Sequence, residues 1–194
     1  MTSRMTRPQR NKRSAFTLLE LLIVILIIFI LAAIVAPQLT GAAQDAKVSK
    51  ILAVSDALRA AVQSHYNDTG LLPRENSNST ATNQHQLGLP QTTVNWRGPY
   101  IDHPLTAADN PFGGRVQLFQ TFGGDAGGGF DLMGSGADTV TGNGSYVVFR
   151  SVPQTAAQAV DRALDNGVAG NWQTTGRIEW TNNQRLCIYL MDVP

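Results

Sequence analysis

Cysteine is almost absent: the single Cys187 rules out a disulfide within the chain, so cysteine usage fixes no redox compartment. A lone Cys of this kind reads as a buried apolar thiol. Charge is scarce as well, at 15% of residues with a formal net charge of +1, which gives no general argument for nucleic-acid binding. The chain lacks H-E-x-x-H, C-x-x-C and G-x-S-x-G, and its three histidines (His65, His85, His103) are scattered. Gly134-Ser135-Gly136 opens like a dinucleotide loop, but Thr139 occupies the sixth position and no helix pattern follows. No catalytic set emerges, and the expectation is a protein that is not an enzyme.

What the chain has is asymmetry. Residues 1–15 hold five basic side chains (Arg4, Arg7, Arg10, Lys12, Arg13) and no acid, which leaves 10 basic against 14 acidic residues, a formal charge of −4, in the remainder. From Leu21 to Ala36 there is no charge at all, and Phe16–Ala36 gives 21 residues with one, Glu20. That length nearly spans a bilayer, where backbone polar groups must be satisfied internally, so the segment is a helix. The basic cluster before it predicts a cytoplasmic N-terminus. The cluster has the charge to meet anionic lipid or nucleic acid, but topology is the simpler reading.

A secretory signal peptide fits poorly, because the apolar run is long, no A-x-A site follows, and a cut after Ala36 would leave Pro37 first. A plain signal anchor has no use for Glu20, since a carboxylate within a membrane costs roughly 2.5–3.5 kcal/mol at a helix centre and less near its end. Ser14-Ala15-Phe16-Thr17-Leu18-Leu19-Glu20-Leu21-Leu22-Ile23-Val24 resembles the N-terminal motif of type IV prepilins and pseudopilins. The resemblance implies cleavage between Ala15 and Phe16 by a prepilin peptidase, N-methylation of Phe16, and a Glu20 that neutralises the terminal amine of a neighbouring subunit. Ala15 stands where the family usually has Gly.

Past the membrane segment, Val48, Ile51, Val54, Leu58, Ala61 and His65 recur at spacings of three or four and form one helical stripe. His65 on that stripe reads as a packed, hydrogen-bonded histidine. Asp68-Thr69-Gly70 and Pro73 place the helix end near Asn67, which is roughly 78 Å from Phe16 if the helix is continuous. Pro37 predicts a kink or break. The family resemblance implies that this proline marks a segment able to unwind in the filament.

Residues 70–95 read as a polar surface loop. Strand signals follow at Val116–Phe122, Phe130–Met133, Ser145–Arg150, Gly176–Trp180 and Leu186–Met191, with a hairpin loop over Thr181–Gln184. A short helix is expected from Ala156 to about Asp165, with Thr155 and Gln158 as a capping box. The fold class is α+β: a long N-terminal helix packed against a small antiparallel sheet, pilin-like. The organisation is a basic leader (1–15), a transmembrane assembly segment (16–37), the exposed half of the long helix (38–69) and a periplasmic head (70–194).

Gly98-Pro99-Tyr100-Ile101 and Asn110-Pro111-Phe112-Gly113 resemble loop motifs of the major pseudopilin of type II secretion systems, and Phe130–Asp138 resembles its strand leading to a calcium loop; the last 45 or so residues extend beyond its usual short end. Asp125, Asp131, Asp138 and Asn143 lie in a glycine-rich stretch whose composition suits calcium, without an EF-hand register. Solvated turns are the alternative, and Asp131 is expected on the strand itself. The resemblance implies a homo-oligomeric filament with other pilin-like subunits, assembled at the bacterial inner membrane by an ATPase-driven platform and not binding nucleic acid directly. A pilus for adhesion, motility or DNA uptake, and a membrane-anchored binding module that never polymerises, stay open beside the secretion pseudopilus.

Overall fold

The structure is a computed structural model that describes residues 16–122, 129–134, 139–166, 168 and 170–193, with the side chains of 36–40 and of Thr139 excluded. The chain divides into two units, Met1–Ala42 and Ala43–Pro194. The first helix, α1, is Leu18–Thr69. It starts two residues later than the motif suggests because Thr17 ends it: the Thr17 hydroxyl accepts the Glu20 N–H at 3.2 Å, satisfying one of the helix's orphan donors. Pro37 does not end α1, which remains helical across it. The helix stops at Thr69, two residues past the expected end, where Gly70 takes a left-handed φ of 72°.

In the second unit a five-stranded antiparallel sheet forms from β1 (Glu75–Asn76), β2 (Val116–Thr121), β5 (Asn143–Arg150), β6 (Ile178–Thr181) and β7 (Arg185–Asp192), in the order β1-β2-β5-β7-β6. A two-stranded sheet pairs β3 (Phe130–Asp131) with β4 (Thr139–Val140). Alternation along the strands sorts two faces. One face carries Val116, Leu118, Val147, Phe149, Leu186 and Ile188 into a core shared with Val48, Ile51, Leu58, Ala61 and Val62 of α1. At roughly 1.5–3 kcal/mol per fully buried side chain, this stripe is what holds the helix to the sheet. The other face carries Phe122, Phe130, Tyr146, Val148 and Cys187. Cys187 is buried as expected.

The α2 helix spans Gln154–Leu164, lies between β5 and β6, and buries Ala156, Ala157 and Val160. The capping box expected at Thr155 and Gln158 does not form: the N-cap is Pro153, with no side-chain cap, and its carbonyl accepts the Ala156 and Ala157 N–H groups at 3.0 Å. The fixed φ of proline starts the helix earlier and leaves Thr155 inside the first turn. The β6–β7 hairpin forms as read, with Thr181 opposite Arg185 and Gln184 at φ 56°. Three strands are shorter than their sequence signals, β2 by one residue, at Thr121. β3 stops at Asp131, and β6 begins only at Ile178 because Gly176 turns the chain at φ 90°.

Residues 70–95 depart most from expectation. They contain β1 and a 3-10 turn at Thr82–Gln84, and they bury Glu75, His85 and Leu87. β1 is only two residues long for a clear reason. Its register pairs Glu75 with Leu118, so the next hydrogen-bonded position would set Pro73 opposite Gln120, and proline has no N–H to give. The Gln120 side chain fills the gap by donating to the Leu72 carbonyl, while its Oε1 accepts from the Arg74 guanidinium at 2.6 Å.

Candidate functional site

Within the first unit, Leu18–Val35 is long and apolar enough to cross a membrane, and none of it is buried within the chain. Leu, Ile, Val and Phe side chains are presented all round, a pattern a helix keeps only in lipid or against other apolar helices. Glu20 is the single charge in that span, and its first-turn position sets a carboxylate at the positive end of the helix dipole. Its N–H is taken by Thr17, and among the described residues its carboxylate has no hydrogen-bond or cationic partner. Phe16, 76% exposed, stands just before the helix. An apolar surface with one unpaired carboxylate is chemically suited to pairing with a cation supplied from outside the chain. Ala15 lies outside the described residues, and at Pro37 only the backbone is described.

In the head, Asp131 sits on β3 as expected, and its main-chain oxygen accepts the N–H groups of Gly176 at 2.7 Å and Gly134 at 3.3 Å. Asp125 and Asp138 lie outside the described residues. Among the described residues no three carboxylate, His or Cys side chains come together as metal ligands. The β3–β4 register sets Asp131 opposite Thr139.

The histidine on the helical stripe behaves as read. His65 is buried, its Nδ1 lies 2.8 Å from the Leu71 carbonyl, and burial lowers its pKa. Three other buried groups carry no local signal in the sequence. Glu75 is fully buried, and Oε1 accepts the N–H groups of Leu87 at 2.7 Å and Gly88 at 3.0 Å, while Oε2 accepts from His85 Nδ1 at 3.0 Å. Asp165, at the end of α2, accepts the Arg177 N–H at 2.7 Å; burial and the neighbouring Asp161 push it up to about 6. Glu179, on β6 opposite Cys187, is pushed up to about 8 by burial.

The Glu179 carboxyl has a direct consequence for stability. The folded protein keeps this proton to about pH 8, whereas the unfolded chain releases it near 4.5. Stability from this group is therefore complete at low pH and drains away as pH rises from 4.5 through 8. Glu179→Gln should flatten that dependence and be more stable than the parent at pH 8, by on the order of 2 kcal/mol. Thermal melts of both proteins at pH 5 and pH 8 check it; parallel pH profiles would refute it.

Residues 10–36 match the family described as the prokaryotic N-terminal methylation motif. Over 132 residues, covering 67% of this chain and 87% of the relative, the sequence is 32% identical to the type II secretion system core protein G of Pseudomonas aeruginosa. No solved structure matches the chain.

Proposed function

Because the chain belongs to the type IV pilin-like family, that of the type II secretion pseudopilins, and is a membrane-anchored structural subunit rather than an enzyme, we propose that it builds a secretion pseudopilus. In this reading residues 1–15 are a leader that prepilin peptidase removes between Ala15 and Phe16, and Phe16 becomes the N-methylated first residue. Residues 16–37 anchor the subunit in the inner membrane and later line the filament core. Residues 38–69 and the head at 70–194 stand in the periplasm. An ATPase-driven platform extracts the subunit, and Glu20 pairs with the Phe16 amine of a neighbour as it docks.

Glu20 carries the reading: it is the single charge in the apolar span Leu18–Val35, and among the described residues its carboxylate has no partner. Pro37 lacks the N–H that would hold its turn, so unwinding in the filament would begin there. The test is intact mass and N-terminal sequencing of the protein from its native membrane. A mature chain starting at N-methyl-Phe16 is expected; an uncut chain would overturn the processing and favour an anchored module that does not polymerise.

Calcium is part of the same reading, with Asp125, Asp131 and Asp138 as its carboxylate ligands. Binding to the folded form alone raises the melting temperature by mass action. Adding millimolar calcium after chelation should raise Tm by several degrees, roughly 1–3 kcal/mol, and Asp138→Asn should remove most of the gain. A melt unmoved by calcium would exclude the site.

A further inference from the structure

At the end of α1 the head opens into a cleft of about 420 Å³. The reason lies in the layers. The helix stops at Thr69 and the chain turns away at Gly70, while β2 and the start of β5 run on beneath it. Here the apolar fill of the core gives out. The walls are supplied by Tyr66 of α1, Gln86 and Thr93 of the segment before β2, Thr121 of β2 and Asn143 of β5, with Leu71 on the rim.

Three properties of this cleft limit what it can hold. First, among the described residues no carboxylate, ammonium or guanidinium lines it. His65, in its wall, is kept toward the neutral form by burial. A charged ligand would lose its hydration there without a counter-charge. Second, the lining is rich in uncommitted neutral hydrogen-bonding groups. Among the described residues the side chains of Tyr66, Thr93, Thr121 and Asn143 make no hydrogen bond, and Gln86 spends only its Oε1, on the Arg74 N–H at 2.9 Å. Gln86 Nε2 and the Asn143 amide remain as donors, the hydroxyls can give or accept, and five such groups converge from four segments. Third, apolar surface lies beside them: Leu71, in the lining, is 56% exposed.

We infer that this cleft is a binding site for a neutral saccharide, with the amides and hydroxyls of Gln86, Thr93, Thr121 and Asn143 reading sugar hydroxyls and Tyr66 and Leu71 contacting the C–H face of a ring. Neutral, mixed polar and apolar, and a few hundred Å³ in volume, the cleft has the character of a small-ligand site. An added peptide strand is disfavoured. Beyond β1, the open edge of β2 is already spanned by Gln120, whose amide donates to the Leu72 carbonyl and whose oxygen accepts from Arg74. The site would give the head a contact with glycan that is independent of how the subunit is processed or assembled.

The test is saturation-transfer NMR on the full chain in phosphocholine detergent, which carries no sugar. The probes are N,N′-diacetylchitobiose and maltose as neutral saccharides, a sulfated disaccharide, and an uncharged alanine-serine peptide. Transfer to a neutral saccharide is expected, with affinity reduced at least tenfold by Asn143→Ala or by Thr93→Ala. These side chains hold no structural hydrogen bond, so circular dichroism melts should be unchanged, and two separate positions guard against one variant failing to fold. No transfer to either neutral saccharide, transfer to the sulfated sugar or the peptide alone, or binding unaffected by both substitutions would each overturn the assignment.

Discussion

Glu20→Ala should insert normally and accumulate in the membrane, yet yield at least tenfold fewer filaments than the parent. Insertion survives because the substitution makes the span more apolar, and the basic residues that orient it are untouched. Assembly fails for a different reason. If cleavage frees the Phe16 amine as proposed, packing of the apolar helices would carry that amine from the headgroup region into a medium of low dielectric. An ion pair there roughly breaks even against an apolar replacement of both partners, but removing one partner leaves an uncompensated charge, at about 3–5 kcal/mol per subunit. In a filament of many subunits that cost recurs at every docking step. Glu20→Asp, which keeps the charge on a shorter arm, should restore assembly in part. The measurement is filament yield after shearing, normalised to membrane-inserted subunit; equal yields for Glu20→Ala and the parent would refute the pairing.

That this segment could be read from sequence follows from its solvent. Lipid makes the same demand at every position, so a run of Leu, Ile and Val declares a helix, and a lone Glu20 stands out against it. The β-strands of the head were legible for a related reason. Val116, Leu118, Tyr146, Val148, Leu186 and Ile188 alternate with the pleat, and alternation is a local property. The ends of the elements were less so. Proline and glycine act through backbone geometry, and what they do depends on the strand or helix beside them. Pro73 cuts β1 short only because of its register against Gln120, Pro153 advances the start of α2, and Pro37 leaves α1 helical. Asp131 was placed on its strand correctly, but the β3 strand that holds it ends there, two residues short of its signal.

The buried carboxylates were hidden for a deeper reason. Glu75 precedes a run of Asn and Ser that looks fully solvated, and nothing near it in sequence explains its burial. Its partners come from 10 to 30 residues away, at His85, Leu87, Gly88 and Leu105. A group whose environment is built by chain closure carries no local signature. The same holds for Glu179, whose burial depends on the pairing of β6 with β7.

Glu75→Ala should therefore be among the most damaging single changes in the head, although its sequence neighbourhood looks dispensable. The carboxylate is fully buried and accepts at both oxygens, two main-chain N–H groups on one and the His85 ring on the other. His85 Nε2 in turn lies 2.8 Å from the Ser79 carbonyl, so both ring nitrogens face acceptors. Removing Glu75 strands the buried Leu87 N–H and the His85 Nδ1–H and opens a cavity beside Leu87. Each unmet buried donor costs about 1–3 kcal/mol, more when it is charged, so the loss should reach roughly 3–5 kcal/mol. For a domain of this size that is a fall in Tm of about 10–15 °C. Glu75→Gln keeps one acceptor oxygen for Leu87 and Gly88 but sets an N–H against His85, so it should lose about half as much. The check is thermal unfolding of the full chain in detergent followed by near-ultraviolet circular dichroism, which reports the packed Trp96 and Tyr100 of the segment that this carboxylate ties down. A change below about 2 °C for Glu75→Ala would mean that the network contributes little beyond what water supplies, and that the segment is held by Leu87 and Leu105 in the core instead.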